Sequence, residues 1–452
     1  MASYDDRMSA RYHVAIRRPD DDAVLVLRDG ALPGFRLPEP PPWQVVTPVV
    51  ERMRADHGLD VVALRAAWTS ERGPDGQAAD RLYEVIHRSG RSPAGARWVQ
   101  VGDLERRRTE LGRAIDDGAL EPAAGDHQPW YRPGWYADMS AWIEARLEDR
   151  GLRRRGPVRQ VRSWGRSALL AVETDRGRLW AKQVPLVFMH EVAVTGLLAD
   201  VDPGLVPPVV AADPSSGRLL LEHVEGWILA SRRRPREAWL ATMARLAETQ
   251  RVMARDVGAL RVAGVPRASL ADLASRIPVL LDDDALLGTG RTGGLSDAER
   301  RALRASIPGL VGACEALAST PFGPSVEHGD LSARQVIVGK MGPVFLDWSD
   351  ATIAHPFLAA ASFLMHAADL PAGLEGLLER SYLDGWLSDG NQAEAMRALG
   401  VARVVHPLHM VQLYAERILP GLEQPWEMDR AVPTLLRSLL PRLEKLEVIL
   451  PA

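Results

Sequence analysis

The sequence predicts an α+β protein: an α/β sandwich domain first, then a lobe built on an antiparallel sheet, then a mainly helical lobe. Three observations carry that expectation. At 452 residues the chain is longer than one ordinary hydrophobic core organises. Strand-like runs dominate before about Arg236, and helical spacing dominates after it, interrupted by VEHGDLSARQVIVGKMGPVFLDWSD (residues 326–350). A stretch dense in Pro and Trp, QPWYRPGWY (residues 128–136), breaks the first series of strands and marks a boundary. The expected domains are 1–128, 129–225 and 226–452.

The first domain opens with AVLVLRDG, a strand ending in an Asp-Gly turn. TPVVERMRADHGLDV places apolar residues at helical spacing until Gly58 stops the helix. VVALRAAW and RLYEVIH follow as strands. After the Pro/Trp segment comes a helix, ADMSAWIEARLEDR, and then five strands: VRQVRSW, ALLAVET, RLWAKQV, PPVVAAD and RLLLEHV. Asp175-Arg176-Gly177 supplies a hairpin turn between the second and third, and MHEVAVTGLLADV is a helix between the third and fourth.

Composition narrows the function. A hydrophobic content of 46% with 25% charged residues is that of a soluble globular protein. The formal net charge is −4, and the short basic runs at 153–155 and 232–236 read as solvated helix ends, so no nucleic-acid partner is expected. The single Cys314 excludes an internal disulfide and fits a reducing compartment. No apolar run approaches the roughly 18 to 20 residues of a membrane span, and MASYDDRMSA has no signal-like core, so a cytoplasmic protein without a membrane partner is expected. Of 55 basic residues only Lys182, Lys340 and Lys445 are lysine. A lysine inside the apolar strand LWAKQV therefore calls for its own reason.

VIVG and PVFLDW flank Gly339-Lys340-Met341-Gly342 and read as a hairpin with Asp347 at the end of its second strand, while HGDLSARQ is the loop leading into it. Asp330, Gln335 and Asp347 then share one rigid edge. Phosphoryl transfer from a nucleotide needs a group that orients the attacking hydroxyl and oxygen ligands that hold Mg²⁺ between phosphates. Asp330 suits the first task, Gln335 and Asp347 the second. His328 reads as a prop that hydrogen-bonds the loop, and Asp350 and His355 as turn and helix-start residues.

H-G-D-L-x-x-x-Q followed by an apolar strand and D-W resembles the catalytic and metal-binding loops of the aminoglycoside phosphotransferase and choline kinase group, small-molecule kinases with a protein-kinase-like bilobal fold. The resemblance covers about residues 139–452. It implies Asp330 as catalytic residue, Gln335 and Asp347 as metal ligands, Mg²⁺ as cofactor and ATP or GTP as donor. It further implies that Lys182 holds the phosphates with Glu191 orienting it, that Gly165 and Ser167 lie in a loop over the phosphates, and that the backbone of Glu222, His223 and Val224 meets the base. The family usually has Asn where this chain has Gln335, and maltokinases, of similar fold, resemble the chain in having Gln there. Both residues offer a carbonyl oxygen to a hard cation.

The implied partner is a small molecule with a hydroxyl: a sugar, an amino sugar or an aminoglycoside-like antibiotic. Tyr382, His409, Tyr414, Glu416, Trp426 and Glu427, on segments after Asp347, are the candidates for its pocket, while helix packing or solvated charge is the stronger reading of any one of them taken alone. A nucleotide-binding pseudokinase is the alternative, on the evidence of Gln335 and a loop with one glycine. LGTGRTGGLSD carries Gly288, Gly290 and Gly293 in the G-x-G-x-x-G form but follows LLDDDALL instead of a strand, so it reads as a flexible link between helices.

In the first domain, LPGFRLP, then VVERMRADHGLDV and strands, resembles Nudix domains, whose helix carries R-E-U-x-E-E-x-G-U for metal binding. Aligned on Gly58, the glutamate positions hold Arg52, Ala55 and Asp56. One carboxylate and an Arg in place of three carboxylates cluster cations poorly, so the domain reads as degenerate and argues against a Nudix hydrolase. A cap over the kinase site, a homodimer contact and a ligand sensor are the roles open to it.

Overall fold

The computed structural model describes residues 9–18, 22–70, 80–104, 109–121, 128–231, 235–366, 370–388 and 391–443. The first eight residues, Arg232 to Arg234 of the second basic run and Lys445 lie outside the described residues. Two compact units divide the chain, Met1–Pro185 and Leu186–Ala452.

The first unit begins with β1 (Ser9–Arg17), β2 (Ala23–Val26), β3 (Gly34–Pro38), α1 (Thr47–His57), β4 (Asp60–Thr69), β5 (Asp80–Ser89) and β6 (Arg97–Gln100). Pro48 starts α1, and Gly58 ends it in the left-handed conformation at φ 66°, its N–H returning to the Arg54 carbonyl. The strands form a sheet in the order β4-β5-β1-β2-β6 with β3 also on β1; β1 and β5 run parallel. Leu82, Val24 and Val26 on one face pack with Leu111 and Ile115 of α2 (Glu110–Asp116), while Val62, Leu64 and Ile86 pack with Tyr136.

After α3 (Trp135–Asp149), the strands β7 (Arg159–Trp164), β8 (Ser167–Thr174) and β9 (Gly177–Gln183) form an antiparallel meander, and β8 and β9 are joined by a two-residue turn that pairs Thr174 with Gly177. Its first strand is bonded into the preceding sheet. The Gln160 amide donates to the Ala63 carbonyl and accepts its N–H, each at 2.8 Å, so a side chain continues the backbone pairing. Ser163 Oγ donates to the Leu64 carbonyl, and Val46 N–H to the Val161 carbonyl. These bonds group the meander with the N-terminal strands.

The second unit contains α4 (His190–Val201), β10 (Val209–Asp213), β11 (Arg218–Glu222), β12 (Gly226–Ile228), α5 (Arg236–Arg255), α6 (Val257–Val262), α7 (Leu270–Leu280), α8 (Asp297–Ala305), α9 (Ile307–Ala318), β13 (Ser325–Glu327), β14 (Val336–Gly339), β15 (Gly342–Phe345), β16 (Thr352–Ala354), α10 (Phe357–Met365), α11 (Glu375–Leu383), α12 (Gln392–Leu413) and α13 (Ala431–Leu443). β12, β14 and β15 make a small antiparallel sheet, and β13 pairs with β16. Trp239, Met243, Leu246, Gln250 and Met253 recur at helical spacing along α5 and are all buried.

Gln250 is the polar member of that stripe. Its Nε2 donates to the carbonyls of Val326 (3.0 Å) and Pro356 (2.9 Å), its Oε1 accepts from Tyr382 (2.7 Å), and the β13–β16 ribbon is thereby fixed on the helix. The glycine-rich segment between α7 and α8 is held by Arg437, which donates to the carbonyls of Gly293 and Gly294, so the expected flexible link is a closed set of turns. No helix among the described residues is long and apolar enough to cross a membrane.

Candidate functional site

Two chain segments converge at the edge of the small sheet. β13 delivers His328-Gly329-Asp330, and the β14–β15 hairpin starts just after Gln335 and ends just before Leu346-Asp347. Val336 pairs with Phe345, so Gln335 and Leu346 face each other across the open end, and Leu346 N–H donates to the Gln335 carbonyl at 2.8 Å. His328 ties the first segment to the second: its Nε2 lies 2.9 Å from the Leu346 carbonyl, and its ring packs on Trp348 at 4.6 Å. A carbonyl only accepts, so Nε2 carries the proton. Burial lowers the His328 pKa, which keeps the ring neutral in this role.

Gly329 turns the chain at φ 83°, and a Cβ there would stand 2.5 Å from the Asp350 Cβ. Beyond it Asp330 is exposed, between the buried Gly329 and Leu331. The Gln335 Nε2 approaches Asp330 Oδ2 at 3.4 Å, and Ser332 Oγ donates to Gln335 Oε1. Asp347 is likewise exposed, followed by the buried Trp348 and Ser349. The strand ends at Phe345, so Asp347 lies past it instead of at its end, in the left-handed conformation at φ 62°. Asp tolerates that conformation better than most residues. Ser349 Oγ donates to its Oδ1 at 3.0 Å.

Behind the loop Glu327 is fully buried. Its Oε1 accepts the Gly329 N–H at 2.8 Å, and its Oε2 lies 3.3 Å from both Thr352 Oγ1 and His409 Nε2. Burial pushes its pKa up, but the hydrogen bond from His409, the electrostatic influence of His409 and His406, and the Gly329 N–H outweigh it, and the net shift is downward. Glu327, Ser332 and Ser349 were not foreseen from sequence; an acidic residue closing a short strand directly before His-Gly-Asp was the available signal.

Lys182 sits half-buried on β9, paired with Leu169, in the first compact unit. Glu191 is buried in the first turn of α4, in the second unit, and that turn packs against residues 348–350, beside Asp347. Gly165 and Arg166 form a two-residue turn, with Trp164 paired to Ser167. Gln128 donates to the Gly165 carbonyl, Trp130 to the Trp164 carbonyl, and Ser167 is buried, so the expected loop is a short pinned turn. Glu222 ends β11, and His223 and Val224 bridge it to β12, with Glu222 and His223 exposed.

Of the residues expected around an acceptor, Tyr382 and His409 are inside the core, bonded to Gln250 and Glu327 respectively. Tyr414 and Glu427 are buried or nearly so. Glu416 pairs with Arg276 at 3.0 Å, and Trp426 is half-buried. In the first unit Arg52 pairs with Asp56 at 2.9 Å and lies over the Phe35 ring, so the one carboxylate among the three positions 52, 55 and 56 of α1 is charge-compensated by its own neighbour.

Among the described residues no group of three or more His, Cys, Asp or Glu side chains is placed to hold a metal. Mg²⁺ needs no such cage, since it usually takes one or two protein carboxylates plus waters and phosphate oxygens. An exposed carboxylate at Asp347 and an amide oxygen at Gln335, on facing ends of one hairpin, fit that pattern.

The fold is similar to the GDP complex of wild-type aminoglycoside 2'-phosphotransferase-IIIa, at 15% identity over 68% of this chain and 98% of that one with a TM-score of 0.48. It is similar also to a choline/ethanolamine kinase family protein from Mesorhizobium loti (15% identity, 70% and 95% covered, TM-score 0.44) and to choline kinase from Cryptosporidium parvum Iowa II (14%, 71% and 94%, 0.48). No protein-family model matches the sequence, and no curated protein does. At this distance the functional reading rests on the chain's own residues.

Proposed function

We propose that the chain is a small-molecule kinase of the protein-kinase-like bilobal type, moving the γ-phosphate of Mg-ATP or Mg-GTP to a hydroxyl of a sugar, an amino sugar or an aminoglycoside-like antibiotic. The observation that carries this is the Asp330–Gln335–Asp347 edge: exposed carboxylates at either end, an amide between them, and a buried frame of hydrogen bonds behind. Asp330 accepts the hydrogen bond of the acceptor hydroxyl and takes its proton as the oxygen attacks phosphorus in line and the bond to the nucleoside diphosphate breaks. Gln335 and Asp347 hold Mg²⁺, which when bound neutralises phosphate charge. Lys182, with Glu191, is assigned to the phosphates, Gly165 and Ser167 to their cover, and residues 222–224 to the base, on the motif resemblance. Most of the acceleration then comes from positioning and charge stabilisation, with little from proton transfer.

In this reading residues 1–128 are a degenerate Nudix-like domain, 129–225 the sheet lobe and 226–452 the helical lobe. The Gln160 amide supports a bracing role for the first domain, because it joins that domain's sheet to the meander bearing Lys182. The pinned Gly165-Arg166 turn favours a second reading, a nucleotide-binding pseudokinase. ADP release from Mg-ATP across aminoglycosides, other hydroxylated antibiotics, amino sugars, maltose and choline separates the two. Acceptor-dependent release abolished in Asp330→Ala supports the kinase; nucleotide binding with no transfer to any acceptor supports the pseudokinase.

A further inference from the structure

The β13–β16 ladder ends where Glu327 pairs with Thr352. Two residues later Gly329 is buried and its N–H lies outside any ladder, and Gly329 itself is confined by Asp350. Its donor therefore has to be met by a side chain. A buried carboxylate is a costly way to do this, since an apolar residue in a strand usually serves stability as well or better. What the carboxylate supplies is geometry: one oxygen for the Gly329 N–H, the other fixed by Thr352 and by His409 from α12.

We propose that Glu327 is the positioning residue of the Asp330 loop, a fully buried carboxylate anchored by His409 and Thr352 whose Oε1 captures the Gly329 N–H and so sets where Asp330 presents its own carboxylate. The assignment rests on the kinase reading of Asp330. Glu327 touches no reacting atom; it acts through one peptide unit. His409 belongs to this anchor and has no part in acceptor binding.

The test uses the full chain and an acceptor found in the panel above. Glu327→Gln keeps an oxygen for Gly329 and can donate to His409, so kcat should stay within about threefold of wild type. Glu327→Leu with His409→Leu replaces both partners by apolar groups, a change that buried pairs often tolerate, but leaves the Gly329 N–H without its acceptor. That variant should still fold, melting a few degrees below wild type for the unmet N–H, and bind nucleotide with unchanged Kd, with kcat down about thirtyfold or more. Added to Asp330→Ala, the same pair should cause no further loss. If the double variant does not fold, Glu327→Met is read against Glu327→Gln, with the same thirtyfold expectation. A folded apolar variant with kcat within threefold of wild type, or one whose nucleotide Kd and kcat worsen in proportion, overturns the positioning role alone. A wild-type chain that transfers phosphate to no acceptor overturns the kinase reading and this one with it.

Discussion

Gly329→Ala puts the site's geometry to a quantitative test. The added Cβ would lie 2.5 Å from the Asp350 Cβ and 2.6 Å from the Asp350 carbonyl oxygen. Carbon atoms in contact rest at about 3.5 to 4.0 Å, so the loop and residue 350 must separate by about 1 Å. At φ 83° an alanine also takes on the left-handed penalty, about 1 to 2 kcal/mol. Together with the crowding, a loss of about 2 to 4 kcal/mol is expected, within the range of overpacked and strained sites. Activity should suffer more than stability. A misplacement of about 1 Å costs on the order of 10²-fold in turnover, and residue 330 is the next one along. Thermal melts and kcat with a panel acceptor measure both. Gly400→Ala is the control: it lies in α12 with open space at its Cβ position and should be neutral or slightly stabilising. Wild-type turnover and melting in Gly329→Ala would refute the tight packing of the loop on residue 350.

Asp347→Asn should preserve the fold, since Asn accepts the left-handed conformation and can still accept from Ser349, but raise the Mg²⁺ concentration needed for half-maximal turnover by about tenfold or more, because a carboxylate ligand becomes neutral; unchanged Mg²⁺ dependence would remove Asp347 from the metal site. Acid should destabilise the second unit early. Burial holds His355 and His406 neutral with pKa values pushed down to about 3, and His190 is brought to about 4 by burial and then by the charge of Arg417. Unfolded, these rings take up protons below about pH 6.5, so stability is complete above that pH and is lost as pH falls towards the folded values, by about 1.4 kcal/mol per pH unit for each ring. Melting temperatures between pH 7 and pH 5, above the range where ordinary carboxylates titrate, read this directly; a level profile would show that the rings are solvated.

Much of the fold was legible because turn chemistry and periodicity agree with it. Gly58, the Asp175-Arg176 turn and the apolar stripe of α5 each place an element boundary or a buried face. The failures are equally physical. β1 was missed although Ala10, Tyr12 and Val14 alternate with the more exposed Ser9, Arg11 and His13; the alternation stops where the central strand is buried on both faces from Val14 to Arg17, which shortens the signal. Tyr382 and His409 stood among the acceptor candidates because residue type suggests a role but not a direction. α12 is buried continuously from Val404 to Leu413, so no amphipathic period marks which side faces a ligand. Glu327 answers to His409, 82 residues away in sequence, a pairing that no local pattern encodes.

The interval between Gln335 and Asp347 is a property of the hairpin and not of the chemistry. Pairing runs from Val336↔Phe345 at the open end to Gly339↔Gly342 at the turn, and Lys340-Met341 closes it. Any antiparallel hairpin in this register, longer or shorter by one residue on each strand, would still place its preceding residue opposite the one that follows. Phosphoryl-transfer geometry therefore requires the register but leaves the length free. A one-residue slip in a single strand would reverse every side chain of that strand and withdraw Asp347 from Gln335. Leu346 is where the requirement is enforced: its N–H reaches the Gln335 carbonyl, and its own carbonyl receives His328. One peptide segment thus ties the H-G-D loop, the amide and the second carboxylate together through backbone atoms. Those atoms are common to every residue type, which is why the motif could be read from its ends while its central joint could not.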